Sequence, residues 1–322
     1  MSALNQPQFR SVAAAFAHLE RVRWPDGPIC PHCGVVGGHY SLAGESHRIG
    51  LWKCKDCREQ FTATVGTVFE RSHIPLNVWL QAVYLLCSSK KGMSSHQLHR
   101  TLGVTYKTAW FMTHRIRAAM KSNPKGPLGG AGKIVEADET YWGTEEGKTR
   151  EGKHGGAAHN AMNKVVALVE RGGELRAIHV ADVTGKNLKA VLTQQVHADS
   201  HLMTDSSPRY NLLKHEQPFA QYDQVNHSIG EYVRGEAHTN TAEGFFSVFK
   251  RGLIGTYHHV SSAHLHRYCG EFDFRYNYRE QYKKKGRALV KVGGFTDAER
   301  TDFALRGIGG KRLTYRRLDA AA

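Results

Sequence analysis

The sequence predicts an α/β chain, with a small cysteine-rich module and a helical region ahead of a mixed domain of strands and helices. Three observations predict it. Four of the six cysteines fall into two Cys-x-x-Cys pairs, a glycine at 103 separates two helical stretches, and beyond residue 133 three strands, a helix and a fourth strand follow in order. The 322 residues suffice for two or three domains with a sizeable core. Hydrophobic residues make up 40% and charged ones 23%, which argues against wholesale disorder. No run of about 18 apolar residues marks a membrane span. The Ala-rich stretch near the N-terminus is followed directly by His18, Glu20 and Arg21, which is unlike a secretory signal. The chain is expected to be soluble and intracellular.

The first expected domain spans 1–72. Cys30 and Cys33 lie in C-P-H-C, Cys54 and Cys57 in C-K-D-C, with twenty residues between the pairs. Four thiolates at this spacing can surround one structural Zn²⁺ tetrahedrally. Gly34 and Arg58 follow the two knuckles and suit tight turns, while Trp52 and Tyr40 are expected to cover a very small core. Such a module needs the metal, which would contribute on the order of 10 kcal/mol. Two disulfides would require an oxidising compartment that nothing in the sequence indicates. His32 and His47 are unnecessary as further ligands, and Cys87 and Cys269 sit in helical patterns as packing residues.

The second expected region, 73–125, is helical. Apolar residues at 76, 79, 80, 83, 86 and 87 follow a helical period. Ser94 or Ser95 can cap a helix to Leu102, Gly103 breaks it, and a second helix runs from Tyr106 to about Met120. This is the outline of a helix-turn-helix, in which Lys107, His114, Arg115 and Arg117 are candidate DNA contacts. A plain helical hairpin is the alternative, and the charge distribution favours DNA. Residues 1–130 carry a net +10, 131–240 a net −3 and 241–322 a net +8, within a total of +15. Basic flanks suit a polyanion. A Gly/Pro/Lys-rich linker over 121–133 marks the boundary.

The third expected domain spans 131–285. Residues 133–142 read as a strand with Ile134, Glu136 and Asp138 on one face; 164–173 and 174–183 read as strands joined by a Gly-Gly turn. A helix over 185–196 and, within 201–210, a fourth strand ending at Asp205 complete the order of an RNase H-like domain. Adjacent strands would then bring Asp138 and Asp205 together across 67 positions. Residues 238–255 read as a helix whose Phe245, Phe246, Val248 and Phe249 are buried. At about 100° per residue, Asn240 and Glu243 lie about 60° apart, and Lys250 returns to within about 20° of Glu243. Scattered acids converging in this way suit two Mg²⁺ ions about 3.5–4 Å apart, which serve in-line displacement at phosphorus.

Taken together, C-P-H-C…C-K-D-C, the helix-turn-helix, A-D-E-T-Y-W-G, M-T-D-S and H-T-N-T-A-E-G-F-F-S-V-F-K-R-G-L-I-G-T-Y-H-H-V resemble one group of bacterial insertion-sequence transposases. These join a zinc ribbon to an RNase H-like catalytic domain of the DDE kind. The resemblance covers about residues 15 to 285. It implies that Asp138 and Asp205 are the catalytic aspartates, with Mg²⁺, or Mn²⁺ in its place, as cofactor. At the third position the family description points to Asn240. Chemistry points to Glu243, which stands seven residues before Lys250 and binds Mg²⁺ better than an amide. Phe246 stands where relatives often show Trp.

Residues 261–287 mix aromatic and basic positions, among which Arg275 and Arg279 are further DNA-contact candidates. The last stretch, 286–322, is expected as a basic tail. The expected function is a transposase that binds double-stranded element ends, cuts them and transfers the strands to target DNA. It would act as at least a homodimer, in the cytoplasm with the nucleoid. A DNA-binding regulator or an RNase H-like nuclease without strand transfer are the alternatives.

Overall fold

A computed structural model of the chain describes residues 3–121, 124, 126–149, 159–226, 229–231, 233–285 and 288–311. The chain divides into two compact units, one of residues 1–121 with 280–322 and one of residues 122–279.

The first unit begins with helices α1 (Pro7–Arg10) and α2 (Val12–Arg23), the latter capped by Ser11 Oγ, which accepts the Ala14 N–H. Strands β1 (His39–Ser41), β2 (Trp52–Cys54) and β3 (Gln60–Phe61) form an antiparallel sheet in that order. Phe61 is buried beneath Trp24 and His39, both edge-on to it with ring centroids at 5.8 and 5.3 Å. Tyr40, expected in this core, is exposed instead, because strand alternation turns it away from the face that His39 covers. Trp52 donates its indole N–H to Glu20.

Helix α3 (Leu76–Ser88) buries all six of its expected apolar positions. Helices α4 (Ser95–Leu102) and α5 (Tyr106–Met120) follow, capped by the hydroxyls of Ser94 and Thr105. Between them Gly103 sits at φ +68°, a left-handed conformation that ends α4 without a Cβ penalty.

The second unit contains β4 (Ile134–Trp142), β5 (Asn163–Glu170), β6 (Leu175–Val180), α6 (Gly185–Gln195), β7 (His201–Asp205), α7 (Asn211–Glu216), β8 (Gln221–Val225), α8 (Asn240–Gly252) and α9 (Ser262–Asn277). The sheet order is β6-β5-β4-β7-β8, antiparallel across β6, β5 and β4 and parallel from β4 through β7 to β8. This is the RNase H-like arrangement. Strand β8 was not anticipated, since QYDQV has only two apolar side chains. Helices α8 and α9 cover one face of the sheet through Phe245, Phe246, Phe249, Leu265 and Phe272. Helix α6 and the segment around α7 cover the other through Leu188, Leu192, Tyr210 and Leu213. Along β4, Val135 and Ala137 join the α6 layer, so the even-numbered Glu136 and Asp138 face the α8 layer. After α8 the chain makes one π-helical turn, Leu253–Tyr257.

The chain then returns to the first unit. Strands β9 (Gln281–Lys285) and β10 (Ala288–Gly293) pair antiparallel, and α10 (Asp297–Arg306) packs on α2, α3 and α5. Thr301, Ala304, Leu305 and Ile308 are buried there, and Val68 N–H donates to the Ile308 carbonyl at 3.2 Å. Residues 286–322 are therefore not simply a basic tail: part of them completes the first unit. Its few apolar residues, set among charges, gave too short a pattern to be read as a buried helix. Among the described residues, no helix is long and apolar enough to cross a membrane.

Candidate active site

The cysteine site is assembled by two knuckles. Gly34 N–H donates to the Cys30 carbonyl and Cys54 N–H to the Glu59 carbonyl, and Gly34 and Arg58 take positive φ angles of 78° and 61°. The four Sγ atoms lie within 4.8 Å of one another. Cys30 and Cys57 stand 3.6 Å apart, Cys33 and Cys54 3.7 Å. A disulfide needs about 2.05 Å. Ligands about 2.3 Å from a central Zn²⁺ would be about 3.8 Å apart at tetrahedral corners. The donor set and spacing therefore fit zinc. The thiols also split in acidity. Burial raises Cys30, but N–H groups of Cys33 and His32 outweigh it and bring it to about 7. Cys57 accepts from Glu59 yet is pushed up to about 12 by desolvation and the three other sulfurs.

The acids come from distant parts of the second unit. Strands β4 and β7 pair with Ile134 opposite His201, Val135 opposite Leu202 and Glu136 opposite Met203. Two residues past the last of these pairs come Asp138 on β4 and Asp205 on β7, near enough for the charge of Asp205 to act on Asp138. Burial, then the charges of Glu139 and Asp205, and also Glu243, raise the Asp138 carboxyl from 3.8 to about 7. Its Oδ1 accepts the Glu139 N–H, and Asp205 Oδ1 accepts the Ser207 N–H. Asn240 and Glu243 lie exposed in the first turn of α8, and Lys250 is exposed two turns further on.

Glu139 neighbours Asp138 but points to the opposite face. It is almost wholly buried, accepts from Tyr210 Oη at 2.5 Å and pairs with Arg209 at 3.0 Å. Burial raises it, with those two partners opposing. It braces the strand and is not available as a ligand. The acids offer oxygen donors with crowded negative charge, which fits Mg²⁺. They are not drawn as close as the thiols: among the described residues, only the four cysteines bring three or more His, Cys, Asp or Glu ligand atoms within 4.8 Å.

A residue overlooked in the sequence is Glu136. Spacing put it on the Asp138 face, and the structure uses it to hold the start of α8: its carboxylate accepts from the N–H groups of Thr241 and Ala242. The sequence signal was its place on the same strand face as Asp138, two residues before it.

Four expected DNA contacts are corrected. His114, Arg115, Arg117 and Arg275 are buried. Arg115 donates to the carbonyls of Val68 at 2.8 Å and Glu70 at 3.2 Å and lies over Phe111. His114 packs against Trp110, and Arg275 pairs with fully buried Glu271. Helix α5 is covered because α10, from the far end of the chain, packs behind it. Lys107 is exposed, as is Arg279, which lies over Tyr276 at 3.6 Å. The outward face of α4 and the start of α5 carries His96, Gln97, Arg100, Thr101, Tyr106 and Lys107, with His96 stacked on Tyr106 at 4.2 Å.

Comparison with known proteins bears on both sites. Residues 127–277 match the ISXO2-like transposase domain, and residues 11–60 match the transposase zinc-ribbon domain. A protein of transposable element ISH50 from Halobacterium salinarum is 30% identical over 286 residues, covering 85% of this chain and 92% of that protein. The chain belongs to the ISXO2-like transposases. Both domain matches fall where the structure puts a candidate site: Cys30 to Cys57 in the zinc ribbon, Asp138, Asp205 and α8 in the transposase domain. The transposase also has a looser likeness to a chain of the simian T-cell lymphotropic virus intasome in complex with PP2A regulatory subunit B56 gamma. There the identity is 13%, coverage 65% of this chain and 70% of that one, and the TM-score 0.29, too loose to bear on function.

Proposed function

We propose that this transposase binds the double-stranded ends of an insertion sequence, cuts them and transfers the cut strands to target DNA by metal-dependent, DDE-type chemistry. The observation that carries this reading is the place of Asp138 and Asp205 just past the paired stretch of the neighbouring parallel strands β4 and β7, with Asp138 raised to about 7 by burial and then by the surrounding acids. Asp138, Asp205 and Glu243 would hold Mg²⁺ or Mn²⁺. Bound there, two ions would activate the attacking oxygen and stabilise the leaving one. Glu243 is favoured over Asn240 because its charge already acts on Asp138 and a carboxylate is the better Mg²⁺ ligand. Lys250, aligned with Glu243 along α8, would neutralise a DNA phosphate near the cut. The cysteines would hold one structural Zn²⁺.

Helices α4 and α5 would act as the helix-turn-helix, with DNA meeting α4 and the first turn of α5 through Arg100, Tyr106 and Lys107. Arg100→Ala and Lys107→Ala are then expected to weaken end binding and each lower the salt slope by about one. Holding two ends together calls for at least a dimer.

The test combines the full chain with labelled end DNA, supercoiled target and Mg²⁺. Joined products are expected. Cut but unjoined ends would make it a nuclease, and bound but intact ends a regulator.

A further inference from the structure

We propose that Glu136 is a positioning residue that sets where the first turn of α8, and therefore Glu243, stands relative to Asp138. The inference rests on the reading of Asp138, Asp205 and Glu243 as the metal-binding acids.

Glu136 is fully buried on β4, two residues before Asp138. Its Oε2 accepts from the N–H groups of Thr241 at 2.8 Å and Ala242 at 3.1 Å. Its Oε1 accepts from Thr241 Oγ1 at 2.9 Å and Arg171 Nε at 2.6 Å, with His238 Nδ1 3.2 Å away. A helix start leaves N–H groups without intrahelical partners. The α8 N-cap residue, Thr239, supplies no side-chain cap. A carboxylate about one hundred positions upstream does so instead.

Arg171, just beyond β5, holds the segment that enters the helix. Its Nη1 donates to the Glu236 carbonyl at 2.8 Å and its Nη2 to the His238 carbonyl at 2.9 Å. One carboxylate–guanidinium pair thus grips both the approach to α8 and its first turn, and Glu243 stands in that turn.

Packing alone would not do this. Phe245, Phe246 and Phe249 fix the depth of α8 against the sheet, but apolar contact is non-directional. Charge-assisted hydrogen bonds to the helix backbone are directional and short, so they set its position along the axis. A buried ion pair is weak evidence for stability. Groups that orient metal ligands, however, typically change metal affinity or activity about 10–100-fold when altered.

The test uses the full chain carrying Glu136→Gln, with Thr241→Val as a milder variant that removes only the hydroxyl donor. Three quantities are read: exchange of the amides at 241 and 242, the Mn²⁺ concentration giving half-maximal end cleavage, and affinity for end DNA. Glu136→Gln is expected to speed exchange and to raise the Mn²⁺ requirement about tenfold, with end binding unchanged. Thr241→Val is expected to move the first two in the same direction by about two- to threefold. A merely structural role would lower the melting temperature without moving the Mn²⁺ requirement of the folded fraction. Wild-type exchange and Mn²⁺ requirement in folded Glu136→Gln overturn the proposal. If that variant does not fold, the same two results in Thr241→Val overturn it. Asp138→Asn is run in parallel: if it still cleaves, the reading of the acids fails, whereas amide exchange tests the hold of Glu136 on α8 independently of catalysis.

Discussion

The four thiols of the first unit and the three acids of the second are both candidate metal sites, and they are built in opposite ways. The thiols come from two local knuckles within 28 residues, and their sulfurs already stand 3.6 and 3.7 Å apart in pairs. The acids come from β4, β7 and α8, span residues 138 to 243, and do not converge within 4.8 Å. Structural zinc sites are closed, whereas catalytic sites leave room for water and substrate. The two clusters therefore serve the fold differently. The thiols would tie the ribbon together through their metal, whereas the acids crowd charge onto Asp138 and Glu136 holds the start of the helix that carries Glu243.

The largest effect should fall on the thiols. Chelating the zinc, or Cys54→Ser, is expected to unfold the ribbon, removing a contribution on the order of 10 kcal/mol. Metal content and circular dichroism check this: one equivalent of zinc in the wild type, and lost ribbon structure once it is removed. A ribbon that survives without metal would break the contrast with the acids.

Removing an acid should do the reverse. The Asp138 carboxyl is raised from 3.8 to about 7, so the folded state holds this proton more tightly than the unfolded state. Its contribution is fully present below about pH 4 and is lost as pH rises through about 7. The metal-free protein should therefore melt at a higher temperature at pH 5.5 than at pH 8, as far as this group is concerned. Asp138→Asn should flatten that dependence and stabilise the apo protein at pH 8 by up to about 4 kcal/mol. Thermal melts of both proteins in EDTA across that range check it. An apo Asp138→Asn less stable than wild type at pH 8 would show that the acid cluster supports the fold.

A smaller effect should separate the two candidates on α8. Glu243→Gln is expected to lower end cleavage about 10–100-fold with unchanged melting, and Asn240→Ala to lower it less. Cleavage rates at saturating Mg²⁺ decide, and the reverse order would assign the third ligand to Asn240.

Much of this was legible before the fold was known, where the signal is local. The knuckles announce themselves by spacing, and β4 by alternation that sets Glu136 and Asp138 opposite Val135 and Ala137. Gly103 marks its turn because few other residues sit comfortably at φ +68°. What stayed hidden depends on partners far along the chain. His114, Arg115 and Arg117 look like a basic reading face until α10, nearly two hundred positions later, covers α5. Glu136 shows in the sequence only as a neighbour of Asp138 on one strand face, and its role appears once Thr241, Ala242 and Arg171 are found around it. Strand β8 is polar enough to pass for a loop, because only its pairing with β7 defines it.

In the proposed reading, Asp138 and Asp205 form one metal-dependent cutting centre that the fold does not need. Its most direct test measures 3′-end cleavage of element-end DNA by wild type, Asp138→Asn and Asp205→Asn in Mg²⁺, at matched end binding and with melting curves recorded. Cleavage is expected from the wild type alone, with both variants folded and bound. Cleavage by either variant at the wild-type rate would contradict it.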